Sequence, residues 1–223
     1  MSLRPKKGTV TPRELVEGAW YALEQSGRLL HDAIDLYDRG RYGTAAGIAL
    51  LGREELGKGR LLLQLCGEAT RRTVTEAEVA DACEDHVLKQ KAAQLAVSIS
   101  AARDSRLAQL LGLAWSREDT PEVREARKEV ENVIQAKVRR TPSNRHDQRM
   151  KALYVDLTQD GRWSRPANFP REEAELVILE AMNDYSGLTG NLRAQYGEDP
   201  TVFELLRQWP GRPELPPVKW PAS

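Results

Sequence analysis

The stretch IALLGREELGKGRLLLQL, residues 48–65, decides the fold. Positions 48, 51, 55, 58, 62 and 65 are spaced three and four apart, which is the repeat of one helix face. They read Ile48, Leu51, Glu55, Lys58, Leu62 and Leu65, so two charges interrupt an apolar stripe at its centre. Unpaired charge is costly to bury, so both side chains are expected to be paired or to border a wet cleft. Lys58 lies four residues after Glu54 and three after Glu55, within reach of either on a helix.

On either side of this stretch, helix succeeds helix. Thr11-Pro12-Arg13-Glu14 reads as a capping box with proline at the first helical position, opening a helix that runs to about Arg39 and stops at Gly40. The quoted stretch belongs to a second helix, about 44–68. Thr75-Glu76-Ala77-Glu78 is another capping box and opens a helix over about 76–103, with a shorter helical piece at 105–115. On that third helix, positions 79, 83, 86, 90, 93 and 97 read Val79, Cys83, His86, Gln90, Ala93 and Val97, again a stripe with a polar centre, and Lys89 lies on the neighbouring row. Packed as an antiparallel hairpin, the two helices would bring both polar centres together near mid-bundle.

Thr120-Pro121 starts a helix over about 121–139, Thr141-Pro142-Ser143-Asn144 is expected to break it, and a further helical segment covers about 144–153. Around residues 154–163 a small extended or hairpin excursion is expected, with Gln159-Asp160-Gly161 as its turn. Pro170 precedes a last long helix, about 171–194, and residues 200–209 form a short one. The resulting division is a loose basic leader over 1–10, a single helical domain over 11–209 and an extended tail over 210–223 that holds five prolines.

The whole chain has 223 residues, with 33 Lys plus Arg against 33 Asp plus Glu. A formal charge of zero excludes a protein that coats nucleic acid by bulk charge. It leaves room for a local site, and residues 137–151 supply one: Lys137, Arg139, Arg140, Arg145, Arg149 and Lys151, with His146 among them and Asp147 the one acid. Such a cluster suits phosphate contacts. Cys66 and Cys83 read as reduced core thiols of a cytoplasmic protein. Neither a signal peptide nor a membrane span is expected. Walker and Rossmann glycine loops, zinc-ligand spacing, the Gly-x-Ser-x-Gly elbow and the Glu-x-x-His pattern of di-iron bundles are all missing, so no metal and no cofactor is expected.

Arg41-Tyr42 with Ala45-Ala46, followed by Arg53-Glu54-Glu55-Leu56-Gly57-Lys58, resembles the signature of the AbiV family of abortive infection proteins. His86-Val87-Leu88-Lys89 resembles that family's His-x-x-Lys element and Leu153-Tyr154-Val155-Asp156 its Leu-Tyr-Val-Asp element. Gly161-Arg162-Trp163 with Pro166 resembles the family's next segment. The resemblance implies an all-α, HEPN-like helical bundle (higher eukaryotes and prokaryotes nucleotide-binding). It also implies a homodimer and an effector of phage defence that shuts down translation. Many HEPN proteins are metal-independent ribonucleases whose motif is an Arg, a polar residue, a few positions and a His. Arg140 and His146 have that spacing, while Thr141-Pro142 departs from the usual helical setting.

The residues and the resemblance together nominate a site. His86, Glu55, Lys58, His146 and Arg145 are the catalytic candidates. Arg140, Arg149, Lys151, Tyr154 and Lys89 are candidates for RNA or phosphate binding, with Glu54 and Asp156 in support. The expected partners are RNA or the translation machinery, with a phage-encoded activator as trigger. Two other readings stay open: a non-catalytic module that blocks translation or senses a phage protein or nucleotide, and a helical protein whose ion pairs only set packing.

Overall fold

The computed structural model of the chain describes residues 8–100, 120–157, 161–190, 192 and 200–219. It is an all-α bundle. Helix α1 (Pro12–Asp38) starts at the expected capping box, with the Thr11 hydroxyl accepting from the Glu14 amide and the Glu14 carboxylate accepting from the Thr11 amide. Helix α2 (Tyr42–Ala69) is the central element and packs on α1 along its length. Around α2 stand α3 (Glu76–Glu84), α4 (His86–Ser100), α5 (Pro121–Leu153), α6 (Arg171–Thr189) and α7 (Pro200–Arg207).

The core is made of leucines and alanines that the helices share. Leu15, Leu23 and Leu30 from α1, Leu50, Leu56 and Leu63 from α2, and Val177, Ile178 and Leu188 from α6 are almost fully buried. Because α2 is surrounded, residues on nearly every side of it are buried. The stripe Ile48, Leu51, Glu55, Lys58 and Leu65 forms a partly buried seam, on which Leu62 is buried. The charges that reach the interior are Arg53 and Glu54 instead, each 4% exposed.

Three expectations are corrected. The third helix is broken at Asp85, whose backbone is extended (φ −72°, ψ 102°). Its carboxylate accepts from the amides of Val87 and Leu88, at 2.8 and 2.9 Å, and so caps α4. Val79 and Val97 therefore do not share one helix face. In α5 the chain passes through Thr141-Pro142 as continuous helix. A proline removes one helical hydrogen bond, but Val123 and Ala126 before it and Arg145 and Ala152 after it are buried in the bundle, and packing on both sides holds the helix. Finally, residues 8–10 are not loose: Thr9–Val10 pairs antiparallel with Val74–Thr75, and Gly8 accepts from the Glu76 amide. The expected helical piece at 105–115 lies outside the described residues.

The excursion after α5 is a hairpin. Asp156–Leu157 (β3, after β1 Thr9–Val10 and β2 Val74–Thr75) pairs antiparallel with Trp163–Ser164 (β4). Gly161 has φ +75°, the left-handed backbone that favours glycine in such a turn. A 3-10 turn, Pro166–Asn168, then leads to α6. It presses so closely on α2 that a side chain at Gly43 would overlap the Pro166 carbonyl.

Residues 210–219 have no helix or strand but are tied to the bundle. The Trp20 indole donates to the Pro213 carbonyl at 2.6 Å and the Tyr185 hydroxyl to that of Pro216 at 3.0 Å. Among the described residues no helix is long and apolar enough to cross a membrane.

Candidate functional site

Glu54 and Gly57 lie three apart on α2 and face α4. The absence of a side chain at Gly57 lets the two helices touch, since a Cβ there would overlap the Lys89 carbonyl oxygen. That close crossing carries the Glu54 carboxylate to the first turn of α4. One of its oxygens lies 2.7 Å from His86 Nδ1. The other accepts from Gln90 Nε2 at 3.2 Å and from an Arg149 guanidinium nitrogen at 2.6 Å. Asp85 fixes the start of α4 and thereby the position of His86. The carboxylate is buried, while the His86 side chain is 56% exposed. The result is a buried acid that orients a solvent-facing imidazole, with an arginine on the same acid.

Next to it in sequence, Arg53 points another way and donates to the buried Asp184 of α6. Burial pushes the Asp184 carboxyl up to about 6, against the pull of Arg53 and Arg145. Burial together with the Arg53 charge lowers Arg145 to about 10. Arg145 pairs with Glu180 and donates to the Gln148 side chain at 3.1 Å, and Gln148 in turn donates to Glu173 at 3.2 Å.

The other nominated residues are placed as follows. Glu55 and Lys58 pair with each other at 2.6 Å, half-buried on the seam of α2. Lys89 is buried and donates to the Cys83 carbonyl at 2.8 Å. The partly buried Cys83 thiol is pushed up by that burial, with Lys58 and Lys89 opposing it. Lys151 and Tyr154 are exposed at the end of α5 and the start of the hairpin. The side chains of Arg140, His146 and Asp156 lie outside the described residues. Of the nominated set, the structure brings together Glu54, His86 and Arg149, and it sets Glu55, Lys58, Arg145 and Lys89 in contacts of their own. No group of acids, histidines and cysteines among the described residues is arranged to hold a metal.

Sequence reasoning did not nominate Arg53, Asp184 or Gln90 as site residues. Two further stripes carry the signal: Ala46, Leu50, Arg53 and Gly57 on α2, and Val177, Ala181, Asp184 and Leu188 on α6. In each, one charge interrupts an apolar row.

The helices form an all-α bundle of the HEPN-like class, as the match to a family model gives it. The HEPN_AbiV family model, described as AbiV, matches residues 14–185, and the chain belongs to that family. Membership places it among the abortive infection proteins of phage defence. Neither a curated protein nor a solved structure matches the chain.

Proposed function

We propose that the chain is a phage-defence effector that cleaves RNA without a metal, with His86 as its acid–base group. The observation that carries this reading is the 2.7 Å contact between Glu54 and His86 Nδ1, on a ring that is 56% exposed. A carboxylate on one ring nitrogen fixes the orientation of the imidazole and turns the other nitrogen toward substrate, as in hydrolytic triads. Histidine is the commonest general acid–base residue. His86 Nε2 takes the proton from a ribose 2′-hydroxyl, the 2′-oxygen attacks phosphorus, and the bond to the 5′-oxygen breaks. The products are a 2′,3′-cyclic phosphate and a 5′-hydroxyl. Arg149 supplies positive charge beside the dyad for the phosphate. His146, one turn before Arg149 on α5, is the candidate acid for the leaving oxygen. On this reading the effector is a cytoplasmic homodimer that halts translation, and a phage-encoded protein is its trigger.

Purified full-length chain incubated with mixed cellular RNA in EDTA tests the reading. The expected result is fragments ending in cyclic phosphate, formed at least about 100-fold more slowly by His86→Ala. RNA that stays intact, or equal rates for wild type and His86→Ala, would overturn the nuclease reading. The binding-module reading rests on a different observation, that Glu54 is already met by three donors; it gains if protection against phage survives His86→Ala.

A further inference from the structure

The hairpin after α5 carries large apolar side chains that are more than half exposed. Trp163 is 64% exposed and Leu157, its direct partner on the ladder, 55%. Val155 and Tyr154 beside them are also more than half exposed. Burying such groups is normally favourable, so the exposed Trp163 ring on a short, defined hairpin is open to a ligand that covers it.

The surroundings indicate its chemistry. Trp163 forms one wall of an open groove of about 340 Å3, lined also by Lys151, Arg162, Arg165, Phe169 and Glu173. Among the described residues that line it, Lys151, Arg162 and Arg165 are basic and Glu173 is acidic, in a chain whose overall charge is zero. The groove is firmly built. Phe169 at its base is buried in the core, and the Pro166–Asn168 turn beside it is seated against Gly43 of α2. Glu173 is held by Gln148, one turn before Lys151 on α5.

We infer that this groove binds single-stranded RNA, with a base stacked on the Trp163 indole and the neighbouring phosphates on Lys151 and Arg165. An exposed aromatic set among cations is the arrangement that takes unpaired strands, because every base has a face to stack and every link carries a negative charge. The groove lies at the small end of ligand pockets and holds a nucleotide rather than a duplex. A second copy of the chain fits less well, because a two-fold contact through this face would set its cations against their own copies. The inference rests on the proposed action on RNA and adds a place where the substrate is held, in a groove that neither Glu54 nor His86 lines.

The test separates binding from cleavage. The probe is a fluorescein-labelled 2′-O-methyl RNA of about 12 nucleotides, which cannot be cut through its 2′-oxygen, titrated with the full-length chain. Trp163→Ala is expected to weaken binding about tenfold, and Trp163→Tyr to restore most of it, because stacking needs only a ring. Arg165→Glu is expected to weaken binding and to reduce its salt dependence by about one counterion. The residues are exposed, so folding is checked by circular dichroism and is expected to be unchanged. Equal affinity for wild type, Trp163→Ala and Arg165→Glu overturns the inference. So does a Trp163→Ala chain that binds RNA normally but changes its mass in solution, which would mark the face as a contact between copies. A chain that binds through Trp163 yet cuts no RNA supports the groove while the nuclease reading fails.

Discussion

Arg53 and Glu54 are adjacent on α2 and equally buried, yet they serve opposite ends. Arg53 meets Asp184 inside the bundle, where both side chains are sealed from water. Glu54 meets His86, whose ring reaches solvent. A step of about 100° around the helix turns one side chain toward α6 and the other toward α4. The first contact joins two charges that cannot leave. The second sets a buried acid against a ring at the surface. Burial of the acid is common to both; exposure of its partner is what separates a packing device from a candidate for chemistry.

The sealed pair is where this contrast is most open to attack. Asp184→Ala leaves the Arg53 charge buried without its partner, and the expected loss of stability is about 3–5 kcal/mol in urea unfolding. Replacing both residues by apolar ones, Arg53→Met with Asp184→Leu, is expected to recover most of that loss. A single-variant loss below about 1 kcal/mol, the range of exposed pairs, would show that water reaches the pair.

The same acid gives a pH dependence with a definite sign. Folding raises the Asp184 carboxyl to about 6 because burial outweighs the attraction of Arg53. The folded chain therefore holds a proton that the unfolded chain has lost, between roughly pH 4 and pH 6. The stability this group contributes is in place below about pH 4 and is lost as pH rises through about 6. The stability of wild type minus that of Asp184→Asn is expected to fall across that window. A difference that rises instead would mean that Arg53 dominates and the carboxyl is held low.

The fold was legible where local chemistry acts alone. The capping boxes at Thr11 and Thr75, the cap at Thr120 and the turn at Gly161 all stand where the sequence places them. What escaped was set by tertiary contact. Asp85 reads as a surface acid until the helix after it needs a cap, and Pro142 reads as a breaker until packing on both sides holds the helix through it. The site was half legible for the same reason. His86 stood out as a polar residue on an apolar row, but its partner is Glu54 and not Glu55. Which of two adjacent glutamates faces α4 depends on Gly57, whose missing side chain sets where the helices cross.

Gly57→Ala disturbs that crossing. It drives a methyl group into the Lys89 carbonyl, and backbone yields less readily than a side chain. Overpacking of this kind costs about 1–3 kcal/mol. Because the strain falls where α2 and α4 touch, RNA cleavage is expected to drop with the melting temperature even though no polar group is removed. Full cleavage by a destabilised Gly57→Ala chain would show that the Glu54–His86 contact tolerates a shift of the helices.

The smallest stability effect is expected at the residue proposed to matter most for activity. In His86→Ala the lost ring was more than half exposed, and Glu54 keeps Gln90 and Arg149 as donors, so no buried charge is stranded. Substitutions of this kind stay within about 0.5 kcal/mol. A residue held only for packing loses stability and activity together; an acid–base group loses activity alone. If His86→Ala destabilises the chain as far as Asp184→Ala does, the two pairs are of one kind, and Glu54 is a second internal brace rather than the orienting acid of a site. If it leaves unfolding unchanged while abolishing cleavage, the neighbouring charges of α2 are divided between holding the bundle and working at its surface.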